Sequence, residues 1–276
     1  MKRLITLLFV LSLASSQAFA ATWVAADRVS VVGKNLITKN NLPAKTTFKV
    51  VNGAADNSNT STTNVIQISS TDLTYTGNDS EVAAIVAHEM GQIINGKEGK
   101  DRLRNIAKAA LADKLSADNV LNTAANSEFV ANKTSLKDNK EADITAVDLM
   151  MKTDYNPLAM VVVITKMPGS TLEAVQGKPA NSERAMSVYD YMTYNYPSRV
   201  KKGYGCQEYK AFLTYADPIV KERNSNKKKL EKFNKEQEKN KALRAKNLAQ
   251  YKATGGLSGW DASYAILKSL SESTEK

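Results

Sequence analysis

Three polar side chains interrupt an otherwise apolar stretch between Asn78 and Gly96, which reads NDSEVAAIVAHEMGQIING. His88 and Glu89 are adjacent, and Gln92 follows four residues after the histidine. On a helix, positions i and i+4 share a face, so His88 and Gln92 would point into the same space. With histidine at both places, two imidazoles hold zinc while the glutamate between them acts as general base on a metal-bound water. Here the pattern is His-Glu-Met-Gly-Gln, one imidazole short. His88 is also the single histidine of the 276 residues.

The helix that would carry these residues has clear ends. Asn78 stands as N-cap with Glu81 three residues on, in capping-box spacing, and Asn95-Gly96 supplies a C-cap. Residues 82–87, Val-Ala-Ala-Ile-Val-Ala, are apolar on every side, which predicts a helix buried in a core. His88, Glu89 and Gln92 must then find partners inside the protein.

The rest of the chain supplies the surroundings. Lys2-Arg3, an apolar run from Leu4 to Ala14, and Ala18-Phe19-Ala20 predict a secretory signal cleaved before Ala21. No later run reaches the apolar length of a membrane span, so the expected product is a soluble exported protein, periplasmic or secreted. It is long enough for one sizeable core plus an extension. Cys206 is the only cysteine, which excludes an intramolecular disulfide. The formal charge of +10 is concentrated: residues 221–252 hold twelve Lys/Arg against four Glu. The remainder of the exported chain is close to neutral.

Residues 23–38 have mixed periodicity, compatible with a short helix or a strand. TTFKVV at 46–51, the Asn52-Gly53 turn, a polar loop at 56–61 and TTNVIQIS at 62–69 predict a β-hairpin leading into the motif helix. Helical periodicity follows to about Asn139, then over 140–153. A turn at 154–157 places Pro157 at the first position of the helix LAMVVVITKM. A further helix is predicted over 181–193, closed by Asn195-Tyr196-Pro197. The tyrosines at 189, 191, 194, 196 and 204 read as core and rim. From Asp217 the chain becomes Lys-, Asn- and Glu-rich. Its apolar residues Leu230, Phe233, Leu243 and Leu248 are too sparse for a coiled-coil seam. After Gly255-Gly256, Trp260, Tyr264, Leu267 and Leu270 mark an amphipathic helix expected to dock on the body. The expected organisation is a signal at 1–20, a domain at 21–216 and a basic helical extension at 217–276.

Three stretches, in order and spacing, carry a resemblance to a known family: EVAAIVAHEMGQIINGK at 81–97, NKEADITAVDLMMKTDYNPLAM at 139–160 and YDYMTYNYPSRV at 189–200. They resemble the gluzincin metallopeptidases of family forty-eight, the group of HtpX, the type I CAAX prenyl protease, BepA and LoiP. The strand ending VIQISSTDL is similar to the family's strand before the motif helix. The resemblance implies a mainly helical α+β domain with a small β-sheet beside the motif helix. It further implies zinc as the cofactor of an active member, with His88 as first ligand and Glu89 as general base. The second ligand position falls on Gln92. The family's Glu-x-x-Ala-Asp motif aligns at Ala142 and Asp143, which puts Asn139 at the third ligand position. Asp143 takes the place of an orienting carboxylate outside the ligand set. Glu141 lies nearby, but two residues along a helix it points away from that face. Tyr196-Pro197 stands where the family often has a His-Pro pair near the metal.

Losing even an outer partner weakens metal binding by roughly 10–100-fold, and amide oxygens suit harder cations than zinc. His88, Glu89, Gln92 and Asn139 are therefore expected to form a polar cluster closed by its own hydrogen bonds. The implied function is a peptidase-like envelope protein with proteolysis weak or lost, serving to bind or scaffold an envelope protein or peptide. One alternative is an active zinc metalloendopeptidase with Glu89 as general base that tolerates Gln92 and Asn139, Glu141 being available for recruitment. The other is an anionic-surface binder acting through residues 219–252. The exported compartment argues against nucleic acid.

Overall fold

The stretch at 23–38, whose periodicity allows either helix or strand, falls largely within helix α1 (Ala25–Asn40) in the computed structural model of the chain. The structure describes residues 23–57, 60–112, 135–178 and 180–274. The expected signal at 1–20 and the part of the expected helical region at 113–134 lie outside the described residues. α1 buries Val29, Val32, Leu36 and Ile37. The Arg28 guanidinium forks onto Asp79 at 2.8 and 2.6 Å, which ties α1 to the start of the motif helix.

The strands correct the expected hairpin. β1 (Thr47–Val51) and β2 (Val65–Ser69) pair in parallel, from Thr47 opposite Val65 to Val51 opposite Ser69. Parallel strands need a crossover of about a dozen residues, and residues 52–64 provide it, with a single turn of helix, α2 (Thr60–Thr63). Gly53 bends the chain at φ 81° without reversing it, and Asn64 at φ 56° delivers it back to the start of β1. Asn57 holds the crossover down: its Oδ1 accepts from Gln67 N at 2.7 Å and its Nδ2 donates to Gln67 O at 3.1 Å. The side chain of Asn57 thus satisfies a backbone pair that a neighbouring strand would otherwise take. Ile66 and Ile68 alternate inward and are fully buried.

After the short α3 (Ser70–Leu73) comes the motif helix α4 (Asp79–Ile94). Asn78 accepts from Glu81 N at 3.1 Å, and Glu81 reaches back to Gly77 N at 2.8 Å. Glu81 is itself buried and receives Lys166 Nζ at 2.8 Å and Tyr204 Oη at 3.0 Å. Val82 to Ala87 are all buried. α5 (Lys97–Ala112) follows, and α6 covers residues 135–150. At Gly91 α4 and α6 approach closely: a Cβ there would lie 2.5 Å from the Ala142 carbonyl oxygen. That approach brings Asp143 within reach of His88.

α7 (Ala159–Lys166) packs against α4, and α8 (Thr171–Val175) leads into α9 (Ser182–Asn195), which packs on α7. Beyond α10 (Pro197–Val200), α11 (Gln207–Ser225) runs through Pro218 without a break, so the composition change at Asp217 falls inside a helix. α12 (Lys227–Ala253) lies along the body on a stripe of Leu230, Phe233, Gln237, Asn240, Arg244, Asn247 and Tyr251, every member at least half-buried. These positions alternate by three and four residues. The heptad spacing that the apolar residues lacked is completed by polar ones. α13 (Gly259–Thr274) docks on α5, where a Cβ on Gly99 would lie 2.6 Å from Asp261 N. Arg102 sits 5.1 Å over the Tyr264 ring. Among the described residues no helix is long and apolar enough to cross a membrane.

Candidate functional site

A cleft of about 230 Å³ opens between α3, α4, α7 and α9. Ala84 and Ile85 of α4 and Met160, Val163, Ile164 and Met167 of the α7 region give it apolar walls. Its polar groups are His88, Glu89 and Gln92 from α4, Asp72 from α3 and Arg184 from α9.

His88 is held from both sides. Its Nδ1 lies 2.7 Å from Asp143 Oδ1, and its Nε2 lies 2.7 Å from Gln92 Nε2. Nδ1–H donates to the carboxylate, which leaves the lone pair on Nε2. The Gln92 amide donates to that lone pair. Asp143 is fully buried and receives Arg184 Nε at 2.9 Å on Oδ2 and Nη2 at 2.9 Å on Oδ1. Burial pushes the Asp143 carboxyl up, but the Arg184 guanidinium and His88 outweigh it and hold it at about 2. Burial likewise works against the Arg184 cation, and Asp143 more than compensates, raising it above the ordinary value.

Glu89 projects toward the crossover, where its Oε2 accepts from Asn57 Nδ2 at 2.9 Å. Burial raises its carboxyl above the ordinary range, and the opposing pull of His88 and of the Asn57 hydrogen bond only partly offsets this. Asp72 is raised by burial too, against smaller pulls from His88 and Arg184.

The other residues singled out from the sequence lie elsewhere. Asn139 is half-buried on α6, one turn before Asp143, and is not among the residues lining the cleft. Glu141 is turned to the opposite side, where its carboxylate meets Lys100 Nζ at 3.1 Å. Tyr196 donates to Asp148 Oδ1 at 2.6 Å and stacks edge-on with Tyr191, in the layer under α12. Arg184, Asn57 and Asp72 carried no spacing signal. Only the need of a buried Asp143 for a cation pointed toward something like Arg184.

The sequence profile described as peptidase family M48 matches residues 24–223. The chain belongs to peptidase family M48. No curated protein and no solved structure shows a significant match to it. The M48 match ends just before α12, so α12 and α13 lie beyond the matched region.

M48 peptidases are generally zinc-dependent. The residues of this M48 site do not fit zinc. His88 is the one imidazole among the family's three ligand positions, and the neutral amides of Gln92 and Asn139 at the other two are poor donors for zinc. Asp143 has both oxygens occupied by a guanidinium and an imidazole. Among the described residues no group of three His, Cys, Asp or Glu is arranged to hold a metal.

Proposed function

We propose that this M48 protein is an exported, peptidase-like module of the bacterial envelope that binds a protein or peptide and has lost the proteolytic step. The observation that carries this reading is the hydrogen bond from the Gln92 amide to His88 Nε2. It satisfies the one ring nitrogen that a metal site would leave open, so the cluster is complete without zinc. The Arg184 cation beside Asp143 supports the same reading, because it supplies positive charge from the protein itself. The signal-like N-terminus supports the location, and the apolar-walled cleft is suited to a peptide side chain.

A second reading, an active zinc metalloendopeptidase, rests on Glu89, which is retained in the cleft. One experiment separates the two. The secreted chain is dialysed against zinc, its metal content is measured, and cleavage of an unfolded protein substrate is followed beside Glu89→Gln. Less than one-tenth of a zinc per chain, to order of magnitude, and no cleavage are expected, given the strength of ordinary structural sites. Stoichiometric zinc with proteolysis abolished by Glu89→Gln would overturn the proposal.

A further inference from the structure

The packing of α12 decides which of its lysines face outward. With Leu230, Gln237, Arg244 and Tyr251 turned to the body, Lys228, Lys235, Lys239 and Lys246 fall on the far side of the helix, and all four are exposed. None of the four is ion-paired among the described residues. Lys228 and Lys246 stand near the two ends of this span on α12, so at the rise of an α-helix these charges form a ridge about 27 Å long. Lys235 and Lys239 are spaced to repel one another on the helix surface.

At the C-terminal end of the ridge two large apolar side chains, Leu243 and Trp260, join the lysines at the surface. Leu243 and Lys246 of α12 share a shallow groove with Trp260 of α13. Trp260 is 48% exposed, and Ile266 on the same helix is 61% exposed. A tryptophan beside a lysine row is the pairing that lies at a lipid–water interface, with the ring among headgroups and the ammoniums on phosphates. The ridge is convex and built from lysines, without the arginine forks or the groove that would track a linear polyanion.

We infer that α12 and the start of α13 form a docking surface for an anionic phospholipid bilayer, with the lysine ridge against the headgroups and Trp260 at their level. This surface lies outside the region matched to M48 and is independent of the fate of the His88 cluster.

The test is flotation of the full secreted chain with vesicles of phosphatidylethanolamine containing about a third phosphatidylglycerol. Binding is expected at about 0.1 M salt and absent at about 0.5 M, and absent from vesicles of phosphatidylcholine alone. Changing Lys228, Lys235, Lys239 and Lys246 to Gln should weaken partitioning by about 100-fold or more, each lysine near an anionic surface contributing a factor of about five. Changing Lys34, Lys39, Lys45 and Lys49 to Gln alters net charge equally and should leave binding within a few-fold of the parent. With Trp23→Phe as background, Trp260 emission should shift to the blue on binding. Equal losses in the two lysine variants, no binding to the anionic vesicles, unchanged Trp260 emission, or tighter binding to soluble polyphosphate than to vesicles would each overturn the inference. Circular dichroism of the two variants confirms that α12 is intact.

Discussion

Gln92 Nε2 lies 2.7 Å from His88 Nε2, one helical turn along α4. The same four-residue spacing that would let two histidines share a metal lets an amide close the ring of one. Replacing the second imidazole therefore leaves no orphaned nitrogen. On the other ring nitrogen Asp143 keeps the role an outer carboxylate has in a metal site, fixing the tautomer. The cation it answers to is Arg184.

Restoring ligands should restore the metal. Gln92→His with Asn139→Glu places a second imidazole on the His88 face and a carboxylate one turn before Asp143. The double variant is expected to retain one zinc per chain after dialysis. The parent should bind at least about 100-fold more weakly, more than removal of an outer partner costs. Atomic emission on dialysed protein checks this. A double variant that stays metal-free would show that positions 92 and 139 do not converge.

Gly91 controls the approach of α4 to α6. Its substitution by Ala sets a methyl 2.5 Å from the Ala142 carbonyl, and neither atom belongs to a side chain that can rotate away. The helices must part, at a cost of about 1–3 kcal/mol, and the His88–Asp143 bond should lengthen. The urea midpoint reads the first effect. The nitrogen resonances of the single histidine read the second, because no other imidazole overlaps them.

The Asp143–Arg184 pair should govern the acid limb of stability. Asp143 titrates at about 2 in the folded protein against an ordinary 3.8, so the unfolded chain binds more protons between these values. Its contribution, about 2 kcal/mol, is fully present above about pH 4 and is lost as the pH falls toward 2. Glu89 runs the other way. Burial raises its carboxyl, so its effect is to lower stability as the pH climbs through and above the ordinary 4.5. Arg184→Met should destabilise by about 3–5 kcal/mol by stranding a buried carboxylate. Adding Asp143→Asn should recover part of that loss and flatten the acid limb. Glu89→Gln, which still accepts from Asn57, should flatten the rise in instability on the alkaline side. Urea titrations from pH 3 to 8 distinguish the three.

Arg244 is buried to 1% exposure, and its Nε and Nη2 have no hydrogen-bond partner. Its Nη1 donates to Glu141 O at 3.0 Å, a carbonyl that also accepts from Asn95 and Thr145. Arg244→Met would orphan nothing and remove a partly paired charge. It is expected to leave stability unchanged or raise it by about 1–4 kcal/mol. Tyr251→Ala on the same stripe should cost about 3 kcal/mol through the cavity it leaves. Thermal melts of the two variants should move in opposite directions, or one not at all.

The sequence by itself determined the motif helix. Asn78, Glu81, the apolar run and Gly96 act within a few residues of one another, so the cap and burial of α4 were legible before any fold was known. It likewise determined the family and the placement of positive charge in one segment. What lay beyond local reach was decided by tertiary structure. The strands around Asn52-Gly53 look like a hairpin from their turn, yet they run parallel, and Asn57 of the crossover binds the free edge of β2. Arg184 lies 41 residues from Asp143, and no periodicity links them. Only the packing of α9 beside α6 makes one the counter-ion of the other. The seam of α12 was hidden because four of its seven members are polar, and Gln237, Asn240, Arg244 and Asn247 look solvent-facing until the body they rest on is in place. A side chain's type limits what it can bond to. Whether His88 Nε2 meets a metal or an amide is set by what the fold brings to it.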